Sequence, residues 1–407
     1  MSLQVRPATL SPEALHRDLA IRDLTDPAEG PHAIQILIDR AVSALTDLWG
    51  CEVRWGRGPR IVDIADNYDR LRIGGEAISR EARYTRYVDE ARVLRSHSSA
   101  MIPPALRALA EEARRGDVPD DVPDDVADDV LIVCPGLVYR RDSIDWQHTG
   151  TPHQLDVWRV GRGRPPMTSA DLEEMIGALA DALAPGRAYR SEDRVHPYTL
   201  EGKQVDVGNG GDWVEVCECG LAHPEVLASA GLGGWTGLAL GMGLDRLLLM
   251  AKGIPDIRLL RSGDPRVAAQ MLDLRPYAPV SSMPAVRRDI SIATWRDDDV
   301  ETIGDRVRDA LGGDADAVEE VSVAGASPYE KVPPAARERL GMSEGQQNVL
   351  VRVLLRHLDR SLTNDEANTI RDRIYAALHE GSVWQWAGSR PSVTRSAAAP
   401  GSSPGRR

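Results

Sequence analysis

The chain has 407 residues, 42% of them hydrophobic, with a formal net charge of −13; that length accommodates two or three domains with ordinary buried cores. The acidic balance excludes a wholesale nucleic-acid coat, because neutralising phosphates takes positive charge, though a local basic patch stays open. No apolar run reaches the ~18 residues of a membrane span and the start MSLQVRPATLSPEALHRDL has no signal-peptide core, so a cytoplasmic location is the expectation, and four scattered cysteines point to thiols rather than a disulfide framework.

Residues 1–29 are expected to form an N-terminal extension. In HAIQILIDRAVSALTDLWG, residues Ile34, Ile36, Leu37, Ile38, Val42, Leu45 and Leu48 recur at helical spacing, which predicts a helix ending at Gly50. The stretch GDVPDDVPDDVADD (116–129), with its repeated VPDD, reads as a solvated acidic loop. VLIVCPGLVYR (130–140) and HQLDVWRV (153–160) read as strands, the second alternating with period two. SADLEEMIGALADAL predicts a helix opened by a cap at Ser169, with weak support from Glu173. QVDVG and DWVEVCECG are strands, and GMGLDRLLLMAKG carries a helix. Strands joined by hairpins and interrupted by helices, without a βαβ rhythm, favour a mostly antiparallel α+β domain over a Rossmann sheet.

From about residue 276 the pattern changes. RRDISIA alternates as a strand; VETIGDRVRDALGG is an amphipathic helix with Ile303, Val307, Ala310 and Leu311 inward; VEEVSVAG and NVLVRVLLR are strands. Thr363 and Glu366 form a capping box before a helix with Ile370, Ile374 and Ala377 inward, and the run containing Val383 is a candidate fourth strand. This βαββαβ order over 276–385 is the split-βαβ, ferredoxin-like arrangement. The tail 386–407 has too few apolar side chains for a core and is expected to be disordered.

Several residue types invite chemistry. GMG at 241–243 is a short glycine pair, for which packing or a turn is favoured over a nucleotide loop. Cys217, Cys219 and His223 lack zinc-site spacing and fit core-facing strand positions. His97, Ser98 and Ser99 have no glycine-flanked elbow to make a nucleophile. Arg140 ends an apolar strand and Arg246 lies in an apolar helix, where an unpaired guanidinium is costly; each needs an anion or a carboxylate, and a structural ion pair stays open.

The stretches VLRSHSSA, VYRRDSIDWQHTGTPHQLDVWRV, WVEVCECGLAHPEVL and GLALGMGLDRLLLMAKGIPDIRLL, in this order, resemble phenylalanyl-tRNA synthetase, particularly its organellar single-chain form. PAVRRDIS and RSLTNDEAN resemble that family's anticodon-binding domain. The resemblance implies a class II synthetase catalytic domain over 30–275, an antiparallel sheet flanked by helices, followed by a ferredoxin-fold RNA-binding domain over 276–385. It implies ATP and Mg²⁺ as cofactors, an amino acid and tRNA(Phe) as partners, and a monomer without a separate subunit. By position, Arg140 is implied to hold the ATP α-phosphate and the amino-acid carboxylate, Arg246 the far phosphates, and Glu215 the Mg²⁺. Asp142 and His148 fall where the family contacts ATP, and Pro152 where it stacks adenine. His97, Ser99, Gln154 and Asp156 match positions that hold the amino acid's polar end.

The chain also departs from the family. The Phe-Pro-Phe motif of the side-chain pocket is matched by His196, Pro197 and Tyr198, and the alanine limiting pocket depth is Ala239. Pro152 replaces the phenylalanine that stacks on adenine, a role that Trp146 is placed to take over. The proline-bearing motif 1 segment is not evident in LRIGGEAISREARYTRYV. The chain contains 0 Phe beside 9 Trp and 9 Tyr, where ordinary usage predicts on the order of ten. Two explanations stay open: altered amino-acid specificity, or removal of Phe codons from a back-up copy translated while charged tRNA(Phe) is scarce. A paralogue charging another aromatic amino acid and a non-catalytic RNA-binding paralogue are the rival functions.

Overall fold

Local sequence sets the first helices. In the computed structural model, which describes residues 9–81, 84–115, 129–162, 165–280, 283–358 and 360–384, helix α1 (Pro12–Leu19) begins where the Ser11 side chain accepts from the Ala14 N–H. Helix α2 (Ala33–Trp49) is capped by His32 and ends at Gly50, whose φ of 65° suits a residue without a β-carbon. Ile34, Leu37, Ile38, Ala41 and Leu45 form its buried face, whereas Leu48, expected on that stripe, is exposed. The acidic residues 116–128 and the tail 386–407 lie outside the described residues.

There follow β1 (Glu52–Trp55), β2 (Ile61–Asp63), α3 (Ile64–Asn67), β3 (Arg92–Leu94), α4 (Ile102–Arg115), β4 (Asp129–Leu137), β5 (His153–Gly161), α5 (Ser169–Leu183), β6 (Tyr189–Asp193), β7 (Thr199–Asn209), β8 (Asp212–Ala222), α6 (Pro224–Ser229), β9 (Thr236–Gly243), α7 (Leu244–Lys252) and α8 (Pro265–Ala268). Seven strands make one sheet in the order β1-β4-β5-β9-β8-β7-β6. Every pairing in it is antiparallel except β1 with β4. The fold is therefore α+β, with the large sheet flanked by helices.

Alternation along the central strands divides them between two cores. Leu131, Val133, Leu155, Val157, Leu238 and Leu240 pack with α2, α5 and α7. Ile132, Cys134, Trp158, Val160 and Ala239 pack on the opposite side with α4 and α6. Burial on both faces explains why VLIVCPGL reads as a nearly continuous apolar run. Cys217 and Cys219 face the first core, as their spacing in β8 predicts. GMG ends β9, and Gly243 occupies the N-cap of α7. The cap of α5 also differs from expectation, because Asp171 accepts from the Thr168 N–H at 2.7 Å one residue before Ser169. No described helix is long and apolar enough to cross a membrane.

A second sheet follows, from β10 (Val286–Thr294), α9 (Val300–Leu311), β11 (Val318–Pro328), α10 (Pro334–Leu340), β12 (Gln347–Leu355) and α11 (Asn364–Leu378), in the antiparallel order β10-β12-β11. The Thr363–Glu366 capping box is present. Ile290, Val307, Val351, Val353 and Ile374 belong to the core beneath this sheet, whereas Ala310 and Ala377 are only half-buried. Among the described residues the expected fourth strand is not formed: Val383 is exposed, and its carbonyl accepts from His379 at 3.0 Å and Tyr375 at 3.3 Å instead of pairing with a strand.

Candidate active site

Arg140 leaves the sheet just beyond β4, where its N–H donates to Gly150 O at 2.9 Å and continues the β4–β5 hairpin. Its Nε donates to Ser96 O at 2.9 Å. Ser96 is fixed by both ends of the Asn67 amide. One side of the guanidinium is thereby tied to the main chain, while the side chain lines a cavity of about 290 Å³. Asp142, His148, Pro152, Gln154, Glu215 and Arg246 line the same cavity.

Arg246 faces this space because Leu244, Asp245, Leu247 and Leu248 turn the rest of α7 into the protein. Asp245 accepts from the N–H of His153 and, at 2.9 Å, from its Nδ1, tying the start of α7 to the start of β5. Across the cavity, Arg246 stands 3.8 Å from Glu215. Burial raises the Asp142 carboxyl above its usual range despite the nearby cations. Its neighbour Asp145 accepts from His148 Nδ1 at 2.7 Å, and that hydrogen bond raises the imidazole pKa. The arrangement is thus one of convergent cations, a facing carboxylate and an imidazole paired with Asp145, suited to holding a phosphorylated ligand.

The remaining sequence-predicted residues do not line that cavity; they form a layer beside it. Ser98 Oγ donates to Asp156 at 2.5 Å, and the Ser98 N–H donates to Gln154 at 3.2 Å. Ser99 is buried next to them. Burial pushes the Asp156 carboxyl up to about 6. A β-carbon at Gly241 would sit 3.5 Å from Asp156 Oδ2, so the buried carboxyl lies against a glycine that lines the cavity. His97 lies edge-on to Tyr68 at 6.0 Å, both its ring nitrogens are buried without a hydrogen-bond partner, and burial followed by the Arg140 charge lowers it to about 4.

His196, Tyr198 and Trp158 form a run of stacked rings, with centroids 5.9 Å and 6.2 Å apart. Trp158 pairs in register with Ala239 on β9, and both are fully buried. His196 Nε2 lies 3.4 Å from Glu218, whose carboxyl is held below its usual range by that contact. Glu218 itself lines the cavity and joins the two layers. Trp146, considered for an adenine-stacking role, lines a neighbouring cavity of about 230 Å³ together with Arg246 and Gln147, whereas Pro152 lines the first.

Sequence reasoning did not single out Trp158 or Glu218, and it weighed Ser98 only as a nucleophile and Gly241 only as part of a short glycine pair. Trp158 stands two residues from Asp156 on an alternating strand, so the same face was legible for both. For Glu218 no local signal exists, because its place at the site comes from neighbouring strands.

Residues 18–271 match the family of tRNA synthetases class II core domain (F). The chain belongs to this family. Among its relatives, the chloroplastic/mitochondrial phenylalanine–tRNA ligase of Arabidopsis thaliana is 29% identical over 327 residues, 77% of this chain and 68% of the relative. The probable mitochondrial phenylalanine–tRNA ligase of Drosophila melanogaster is 25% identical over 376 residues, 78% of this chain and 75% of the relative. The phenylalanine–tRNA ligase alpha subunit of Shigella boydii is 31% identical over 286 residues, 66% of this chain and 78% of the relative. The chain is thus a class II synthetase similar to phenylalanine–tRNA ligases. The family match ends before β10, so the second sheet of this synthetase lies beyond it.

Proposed function

We propose that this class II synthetase is an ATP-dependent amino acid:tRNA ligase that activates phenylalanine and transfers it to tRNA(Phe). The observation that carries the reading is the convergence of Arg140, Asp142, Glu215 and Arg246, from three separate parts of the chain, on one cavity. In the first step the amino-acid carboxylate attacks the α-phosphorus of ATP, the bond to the bridging oxygen breaks, and pyrophosphate leaves. Charge repulsion opposes this approach, and the two arginines offset it without a covalent nucleophile. Arg140 is assigned to the α-phosphate and the incoming carboxylate, Arg246 to the departing phosphates, and Asp142, His148 and Pro152 to the rest of ATP. His97, Ser99, Gln154 and Asp156 are assigned to the amino acid's polar end, with the Asp156 carboxylate suited to the ammonium; His196, Tyr198 and Ala239 are assigned to its side chain.

The carboxylate of Glu215, in the cavity assigned to the phosphates, fits Mg²⁺, which binds through one or two carboxylates plus substrate phosphates. When bound there it would supply further charge neutralisation of the phosphates. In the second step a terminal ribose hydroxyl of the tRNA, by family analogy the 2′-hydroxyl, attacks the acyl carbon and AMP leaves. A monomeric, cytoplasmic enzyme is part of the proposal. The absence of Phe, 0 residues in 407, further supports a back-up copy that is made while charged tRNA(Phe) is scarce.

A second reading, activation of a ring-substituted aromatic amino acid, is favoured by one observation: the ring stack ends at a polar ring, His196, whose Nε2 lies 3.4 Å from Glu218. Amino-acid-dependent pyrophosphate exchange across proteinogenic and hydroxylated aromatic amino acids, with and without tRNA, separates these readings. Exchange led by phenylalanine is the expected result; exchange led by a hydroxylated ring selects the second reading, and none with any amino acid sinks both. For the back-up role, the chain should sustain Phe-tRNA charging when the housekeeping enzyme is inhibited, and failure to do so removes it.

A further inference from the structure

The segment Arg140–Ile144 runs directly across the C-terminal unit. Arg308 on α9 donates one nitrogen to Asp142 O and another to Ser143 O, each at 2.5 Å. One turn earlier, Gly304 makes a close approach: a β-carbon there would stand 2.8 Å from Asp142 O and 3.3 Å from Ile144 N. Asp305, between them, pairs with Arg141 at 3.1 Å and with Arg86 at 3.5 Å. From β11, the Val321 N–H donates to Ile144 O at 2.8 Å. The Ile144 side chain is 7% exposed and belongs to the C-terminal core with Ile303, Val307 and Val321.

We infer that α9, through Arg308 and Gly304, positions the ATP site, so that adenylate formation depends on the C-terminal unit being docked against this segment. The inference rests on the proposed role of Arg140 and Asp142. Its physical basis is that two adjacent carbonyls turned away from the sheet need donors, and one planar guanidinium meets both. Burial lowers Arg308 to about 10, a cost that these contacts and the nearby carboxylates offset. Gly304 lets the helix backbone reach the segment closely enough for both hydrogen bonds. Arg308 touches neither ATP nor the amino acid in this scheme; it acts through Asp142, as a positioning residue.

The test uses the full chain with Arg308→Leu, Arg308→Lys and Gly304→Ala. In pyrophosphate exchange, Arg308→Leu should raise KM for ATP by about tenfold, with KM for the amino acid nearly unchanged, because two charge-assisted hydrogen bonds are lost. Arg308→Lys, which keeps the charge and can serve one carbonyl, should recover part of that loss. Independently of activity, hydrogen exchange at the amides of 140–150 should accelerate in Arg308→Leu and Gly304→Ala while β10 and β12 keep their protection. Unchanged exchange at 140–150 in both variants overturns the inference. A wild-type chain inactive toward every amino acid defeats the proposed function, yet the amide measurement still decides this point.

Discussion

Glu215 on β8 and Arg246 on α7 face each other at 3.8 Å across the cavity, with side chains 40% and 35% exposed. An ion pair this long and this wet contributes ~0–1 kcal/mol to stability. The two charges therefore have little structural reason to be there, and the cavity they line supplies a functional one. Glu215→Gln and Arg246→Ala should each leave thermal unfolding within a few degrees of the parent. Pyrophosphate exchange should fall by a factor on the order of one hundred or more. Equal losses in stability and activity would return the pair to a structural role.

Asp156 gives a pH signature. Its carboxyl is raised from 3.8 to about 6 in the fold, so between those values the unfolded chain has released its proton while the folded chain retains it. This group's contribution to stability is therefore fully present below pH 3.8 and is lost as pH rises through about 6. A difference of about two pH units corresponds to ~3 kcal/mol. If the ionised carboxylate binds the ammonium of the substrate, kcat/KM for the amino acid should rise with pH through the same window. Asp156→Asn should flatten both profiles, and a profile identical to the parent's counts against the assignment.

His196→Phe is expected to keep the ring run with Tyr198 while removing the imidazole nitrogens that face Glu218 and Thr199. A site built to hydrogen-bond a ring hydroxyl discriminates strongly against the analogue lacking it. The substitution should then shift preference toward phenylalanine over tyrosine, read as a ratio of kcat/KM values. An unchanged ratio shows that His196 does not select the side chain.

Arg86 joins the N-terminal helix to α9. It donates to Asp18 at 2.8 Å and pairs with Asp305 at 3.5 Å, all three being buried. Removing one partner of a buried ion pair leaves an uncompensated charge, which costs ~3–5 kcal/mol. Arg86→Ala should lower the thermal midpoint clearly, by calorimetry, whereas removal of the exposed Arg17–Asp309 pair should not.

By itself the sequence determined the elements whose cause is local. The apolar spacing of α2 with its Gly50 terminus, the period-two alternation of β5 and the Thr363–Glu366 cap each depend on residues within one or two turns. Arg140 and Arg246 could be flagged for the same reason, since a cation in an apolar context is conspicuous in one dimension. The fourth strand at Val383 was misread because alternation cannot say whether a partner edge is available; there, His379 and Tyr375 take the carbonyl. Only the tertiary structure decided which charges meet. It set Glu215 opposite Arg246, laid Asp156 against Gly241, stacked Trp158 on Tyr198, and placed Arg308 against Asp142, 166 residues away. Periodicity specifies which face of an element is apolar, whereas the electrostatics of a site depend on distances between elements, and packing of the two cores sets those distances.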